Sequence, residues 1–353
     1  MTTVAFLSSL ILILILILIS RLMIMIKIRS RIKIRISPTP LLFALVFCAV
    51  LLHGQTNESR SMILVVGAPG EPEYAEQFAA CVDLWQQAAA RGGLRLRVIG
   101  RDPAPAQDDR AQLLTALAAE AAQPAGELWL VFIGHGTYDG RSAKFNLRGL
   151  DISAGDLAAA LKPCRRTLAV LQCASASGPF LPALSGPDRV IITATRGGYE
   201  DNATRFGGFL ARAIANPAAD LDKDGQTSLL EAFLFASRQV AQSYKDQGRL
   251  LTEHALLDDN GDGLGTPPDW FSGLHAVKKA EGGKSVDGVR AGQMILIRSQ
   301  AEQELPPAAR ARRDQLELKL SDLRSRKSEM KEDDYYRQLE PILVEISRLY
   351  EEK

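Results

Sequence analysis

Between residues 61 and 215 the chain alternates short apolar runs with longer amphipathic ones, and this alternation limits the fold more than any other feature. The apolar runs are "SMILVVG" (61–67), "LRLRVIG" (94–100), "ELWLVFIG" (127–134), "RTLAVLQC" (166–173) and "DRVIITAT" (188–195). Their length and branched content are those of strands. Between them, residues 74–91, 108–122 and 152–162 are apolar at helical spacing, and "TRFGGFLARAIA" follows the last strand as another helix. Strands joined by helices of this length lie parallel, with both faces of the sheet covered. The expected class is therefore α/β, a mostly parallel sheet sandwiched by helices. In such sheets ligands bind beyond the carboxyl ends of the strands.

Two reactive side chains fall at those ends. His135 follows the third strand in "LVFIGHG", and Cys173 closes the fourth in "LAVLQCASASG". Neighbouring strands would bring the two together. A thiol attacks a carbonyl only as the thiolate, and an imidazole is the usual base for it. Gly134 and Gly136 let the backbone turn sharply beside a substrate. The amides of Gly136 and Cys173 are expected to hold an oxyanion, and "CASASG" reads as a small, flexible turn that exposes a nucleophile. Each residue alone has an ordinary reading, the histidine as a bonded loop residue and the cysteine as core. Their joint placement favours a Cys-His dyad.

These two segments, 38 residues apart from His135 to Cys173, resemble the caspase–legumain superfamily of cysteine peptidases. The resemblance covers roughly residues 60–260 and is greatest to bacterial legumain-like members with EF-hand-type calcium loops. It implies a caspase-like three-layer fold, with Cys173 as nucleophile, His135 as general base or acid and Gly136 as oxyanion donor. There are departures. Ala75-Glu76 stands where legumain-type enzymes carry an Arg-His pair, and Ala174 where an acidic or polar residue is usual. Asparagine specificity is therefore not implied. Glu76, if it faces the pocket, would favour a basic residue before the scissile bond; Glu200, Asp201 and Asp139 are further pocket candidates.

"DLDKDGQTSLLE" (220–231) matches an EF-hand loop position by position. Asp220, Asp222 and Asp224 stand at positions 1, 3 and 5, Gly225 at the turn, Gln226 at 7, Ser228 at 9 and Glu231 at 12. Thr227 departs from the aliphatic residue usual at position 8. Hard oxygen ligands of this kind suit a structural Ca²⁺. "DDNGDGLGTPPD" (258–269) repeats the pattern more weakly, with Asp258, Asn260, Asp262 and Asp269 at positions 1, 3, 5 and 12. The two loops are expected to sit side by side. No organic cofactor is expected.

The termini differ from this core. Residues 1–54 are a low-complexity start followed by a basic stretch and an apolar run, which reads as a signal peptide or an uncleaved membrane anchor, with initiation at Met23 or Met25. The expected location is secreted or periplasmic. Residues 1–57 hold six positive charges and no negative ones, so the net charge of +1 leaves −5 on the remainder. That does not suggest a nucleic-acid partner; the partner expected from the peptidase resemblance is a protein or peptide substrate. Removal of the signal would leave Cys81, Cys164 and Cys173, an odd number; Cys81 and Cys164 either pair or are buried. The organisation expected is a catalytic core over 60–215, a calcium-loop region over 216–300 that includes a strand-like "GQMILIRS", and a C-terminal helical hairpin over 301–353 suited to packing or dimerisation. The functional expectation is an exported cysteine endopeptidase. A catalytically silent calcium-binding scaffold and a transpeptidase or ligase using the same dyad are the alternatives.

Overall fold

The computed structural model describes residues 59–102 and 108–351, and the signal or anchor segment lies outside them. In chain order the elements are β1 (Arg60–Val66), α1 (Pro72–Arg91), β2 (Arg95–Ile99), α2 (Asp109–Ala121) and β3 (Glu127–Ile133). A small hairpin sheet follows, β4 (Gly136–Tyr138), β5 (Ala143–Phe145) and β6 (Ile152–Ser153), then α3 (Ala154–Leu161), β7 (Thr167–Gln172), α4 (Phe180–Leu184) and β8 (Arg189–Thr193). Next come α5 (Phe206–Ala213), α6 (Leu229–Asp246), β9 (Leu256–Asp258), β10 (Phe271–Ser272), β11 (His275–Ala276) and α7 (Val289–Gln293). The chain ends with α8 (Gln300–Glu304), α9 (Pro307–Ser325) and α10 (Glu332–Glu351).

The main sheet has six strands in the order β2-β1-β3-β7-β8-β9. The first five are parallel and β9 is antiparallel to β8. The central strands are buried on both faces because alternate side chains point into two separate cores. Met62, Leu64, Trp129, Val131, Ala169 and Leu171 pack with Trp85 of α1, Leu210 of α5 and Phe233 of α6. Ile63, Leu130, Phe132, Leu168 and Val170 pack with Leu113 of α2, Leu157 of α3 and Leu184 of α4. The molecule is thus a three-layer α/β sandwich. Edge strand β2 keeps Arg95 and Arg97 exposed and buries Ile99, as an edge requires.

The antiparallel β9 and the hairpin sheet were not legible in the sequence. "GQMILIRS" forms no strand: Gln293 ends α7 and only Ile295 makes a bridge, to Ser228. The Ile295 and Leu296 carbonyls are taken instead by the Arg60 guanidinium, at 2.5 and 3.3 Å. α9 and α10 form the C-terminal hairpin. Pro341 lies well inside α10, so one helical hydrogen bond is lost there. Among the described residues no helix is long and apolar enough to cross a membrane.

Candidate active site and acidic loops

β3 and β7 are parallel neighbours whose last registered pair is Phe132 and Gln172. His135 and Cys173 therefore leave the same edge of the sheet from adjacent strands. The imidazole is half-buried, with Nε2 3.2 Å from the Pro69 carbonyl oxygen. A carbonyl only accepts, so Nε2 carries the proton and Nδ1 is the nitrogen left for chemistry. Tyr74 meets the ring edge-on at 4.6 Å and Phe78 leans on it at 5.2 Å. Pro69 as the orienting group was invisible in the sequence, because a carbonyl carries no residue signature. Gly134 is needed for space: a Cβ there would stand 2.9 Å from the Phe145 ring.

Cys173 is only 4% exposed. Its Sγ lies 3.8 Å from the Leu171 carbonyl, and no hydrogen bond joins it to His135. Burial, and then the charges of Cys81 and Glu253, push the thiol well above its ordinary range. The resting group is thus a neutral thiol. It lines a cavity of about 420 Å³ with Phe78, Cys81, Gly134 and Arg212. Phe78 also touches His135 and so links the imidazole to this cavity.

The expected flexible turn is instead a packed one. Residues 173–178 are all buried. Ser175 Oγ accepts from the Gly136 amide and donates to the Gly136 carbonyl, both at 3.1 Å. Ser177 pairs with Thr195 at 3.1 Å, and the Ala176 amide donates to the Glu200 carbonyl at 2.8 Å. Ala176 has a φ of 52°, a left-handed conformation rare for alanine. Small residues serve close packing here, not mobility: a Cβ on Gly136 would collide with the Ser175 carbonyl. Both amides expected to hold an oxyanion are also engaged. Gly136 N donates to Ser175 Oγ, and Cys173 N donates to the Phe132 carbonyl at 3.1 Å as part of the sheet ladder.

The pocket candidates lie apart. Glu76 is exposed on α1, while its neighbours Gln77 and Phe78 face the cavity. The cavity face of α1 runs through Gln77, Phe78, Cys81 and Leu84, and at about 100° per residue Glu76 falls outside it. Glu200 is a tie: Oε1 lies 2.6 Å from His254 Nδ1 and 3.1 Å from Arg196 Nε. This supplies the partner for His254 that the sequence did not reveal. Asp201 is exposed, and Asp139 accepts from the amides of its own turn, Arg141 and Ser142. Cys81, Cys164 and Cys173 are free thiols. Cys81 belongs to one core and Cys164 packs against the other, so the sheet separates them. Cys81 shares the Cys173 cavity, and burial raises it to about 12.

The acidic loops share one hydrogen-bond pattern. Asp220 accepts from the amides of Lys223 and Gly225, as Asp258 does from Gly261 and Gly263. Asp222 accepts from Asp224, and Asn260 from Asp262. Asp224 accepts from Gln226, and Asp262 from Leu264. In the first loop the carboxylates of Asp220, Asp222 and Asp224 lie within 4.8 Å of one another. Burial and the charges of Asp224, Glu231 and Asp220 raise the Asp222 carboxyl. Three converging hard oxygens with repelling charges fit a divalent cation. Glu231 closes the loop by accepting from the amides of Leu221 and Asp222 and from the Ser228 hydroxyl, while it caps α6.

The second loop is closed by a residue from outside it. Asp287 accepts from the amides of Asp259 and Asn260 and from the Thr266 hydroxyl. These are positions 2, 3 and 9, the ones Glu231 holds in the first loop. Asp269 is exposed on a short 3-10 turn, because Pro267 and Pro268 turn the chain before it. The loops are not paired with each other. Ser228 bridges to Ile295, while Thr266 of the second loop bridges back to Leu257 of β9.

No protein-family model matches the sequence, and no curated protein matches it. Among solved structures the chain is similar to caspase-1 from Spodoptera frugiperda, at 12% identity and a TM-score of 0.38, over 58% of this chain and 89% of that one. It is also similar to the Drosophila initiator caspase Dronc, at 15% identity and a TM-score of 0.34, over 58% and 82%. Likeness at these scores reaches neither residue roles nor substrate.

Proposed function

We propose that this chain is an exported cysteine endopeptidase held in a latent state, with Cys173 as nucleophile and His135 as its proton carrier. The observation that carries the reading is the placement of the two residues at the carboxyl ends of adjacent strands, with Cys173 lining a cavity whose Phe78 wall touches His135. His135 Nδ1 takes the thiol proton, and the thiolate adds to the peptide carbonyl. The C–N bond then breaks as Nδ1–H protonates the leaving amine. Water, deprotonated by the same nitrogen, hydrolyses the thioester and restores the thiol. Gly136 N becomes an oxyanion donor once the Ser175 hydroxyl turns away. Activation therefore consists of loosening the 173–178 turn and wetting Cys173, which lowers the cost of forming its anion.

Ca²⁺ bound by Asp220, Asp222 and Asp224, with Gln226, Ser228 and Glu231 completing the loop, would fix α6 against the 294–299 segment, where Ser299 N already donates to Gln226 Oε1 at 3.0 Å. The second loop would bind through Asp258, Asn260 and Asp262, with Asp287 in the place expected of Asp269. Calorimetric Ca²⁺ titration tests both. Asp222→Asn should remove one binding event and Asp287→Asn the other, while Asp269→Asn leaves both. The N-terminal segment directs export, and the C-terminal hairpin pairs two copies.

The burial of Cys173 and the engaged Gly136 and Cys173 amides favour a second reading, a calcium-binding scaffold without catalysis. Turnover of a pooled fluorogenic peptide library by protein lacking residues 1–54, beside Cys173→Ala, separates the two. Cysteine-dependent cleavage, with Ca²⁺ or after limited proteolysis, supports the peptidase. Its absence under all these conditions, with Ca²⁺ still bound, leaves the scaffold. Product analysis with an added amine acceptor distinguishes hydrolysis from transpeptidation.

A further inference from the structure

A second cavity, of about 600 Å³, opens beside Ala194, just past the end of β8. Ala194, Phe206, Val240, Leu256 and Trp270 give it an apolar lining, with Arg196 and His254 at its edge. Its position relative to the nucleophile follows from the sheet register. Gln172 pairs with Thr193, and Ala194 N donates to the Gln172 carbonyl at 2.9 Å. Cys173 and Ala194 are therefore neighbours across two parallel strands, about 4.8 Å apart. The cavity begins one strand spacing from the Cys173 backbone.

The two flanks of β7 are not equivalent. His135 stands on the β3 side, and its imidazole must reach the leaving amine. The leaving side of a bound peptide is then toward β3 and the acyl side toward β8, where this cavity lies. We infer that the cavity receives the side chain of the residue whose carbonyl Cys173 attacks, and that this side chain is bulky and apolar. The inference rests on the peptidase reading above and adds the substrate class to it.

The charged groups inside the cavity are already matched, and the unmatched Asp269 stands at its exposed rim, which argues against a basic or acidic occupant of the interior. Glu253 accepts from the amides of Arg205 and Phe206 at 2.9 to 3.0 Å. Glu200 is held between His254 and Arg196. Asp269 is exposed at the rim. A lysine or arginine buried in the interior would find no free carboxylate there, since Asp269 stands at the exposed rim, and would lose its hydration. A leucine or phenylalanine would exchange water for the apolar lining, the usual design of such pockets.

Two measurements on the full chain test this. The first is cleavage of a peptide library varied at the residue before the scissile bond, by the activated protein and by Ser237→Phe, which fills the cavity from α6. Leucine, methionine or phenylalanine should be preferred, and the variant should lose at least tenfold in kcat/KM for them but under threefold for alanine. A preference for charged residues, or one unchanged by filling, overturns the inference. Ala241→Trp, at the exposed rim, serves if Ser237→Phe does not fold.

The second readout needs no catalysis. Trp85 and Trp129 are fully buried, so a ligand-dependent shift in tryptophan emission reports Trp270. In Cys173→Ala protein, millimolar N-acetyl-L-leucinamide should give a saturable shift and N-acetyl-L-lysinamide none. Loss of cysteine-dependent cleavage alone would defeat the peptidase reading, with the cavity's ligand class still decided here. No shift with the leucine amide removes the apolar pocket whatever the cleavage result.

Discussion

The two halves of the candidate site are built in opposite ways. On the β3 side, His135 is half-open to solvent and oriented by one carbonyl and two aromatic rings. On the β7 side, Cys173 and the five residues after it are sealed, with Ser175, Ser177 and Ala176 bonded across to neighbouring loops. The imidazole needs no rearrangement to accept a proton, whereas the thiol has to be uncovered before it can lose one. On the proposed peptidase reading, latency is therefore a property of the cysteine loop alone. It lies in packing and in hydrogen bonds that each contribute about 1 kcal/mol, so a modest local change is enough to shift it.

The largest expected effect comes from removing either partner. Cys173→Ala should abolish turnover of the activated protein, and His135→Ala should lower kcat by about 10²- to 10⁴-fold, as measured on the best peptide of the library. Equal activity in His135→Ala would break the comparison, because the open half would then be idle.

The next effect is on thiol reactivity. In folded protein at pH 7.5, Cys173 should react with iodoacetamide far more slowly than the partly exposed Cys164. Its rate should still be climbing about tenfold per pH unit past pH 9, where an ordinary thiol levels off, because a raised pKa keeps the thiolate scarce there. The same shift has a stability consequence. Cys173 and Cys81 hold their protons more tightly folded than unfolded. Their contribution is present below the unfolded thiol pKa and is lost as pH rises from about 9 toward the folded values. Denaturant midpoints should fall over that range, and Cys81→Ala should flatten part of the fall.

Ser175→Ala should have a smaller and more telling effect. Loss of its two bonds to Gly136 should lower stability by about 1 to 2 kcal/mol, seen in urea melts. It also frees the Gly136 amide, so turnover should be retained or rise; a large loss of kcat would show that the serine hydroxyl itself takes part.

The smallest effect is expected at Tyr199. The residue is 81% exposed and its ring meets Tyr138 edge-on at 5.2 Å, joining the loop after β8 to the end of β4. Tyr199→Ala should change the melting temperature little and speed alkylation of Cys173 a few-fold. No acceleration would place the seal in the hydrogen bonds alone.

Local signals were legible in the sequence. The run "LWLVFI" and its counterparts located the central strands, because strands buried on both faces need continuous apolar residues. The spacing of Asp220, Asp222 and Asp224 located the first acidic loop, because the turn that gathers these side chains is encoded within six residues. The second loop marks the limit: its first six residues adopt the same turn, yet its closing acid comes from Asp287 and not from Asp269. "CASASG" was misread for a related reason, since small residues suit both a mobile turn and a crowded one.

By itself the sequence determined the α/β class, the placing of His135 and Cys173 at strand ends and the turn geometry of the acidic loops. All of these depend on residues close together in the chain. Tertiary structure alone decided that Pro69 orients the imidazole, that Ser175 occupies the Gly136 amide, that the sheet keeps Cys81 from Cys164 and that an apolar cavity opens beside Ala194. Each depends on distant segments meeting, and the chemistry involved, a carbonyl, a hydroxyl or an empty volume, leaves no periodic mark along the chain.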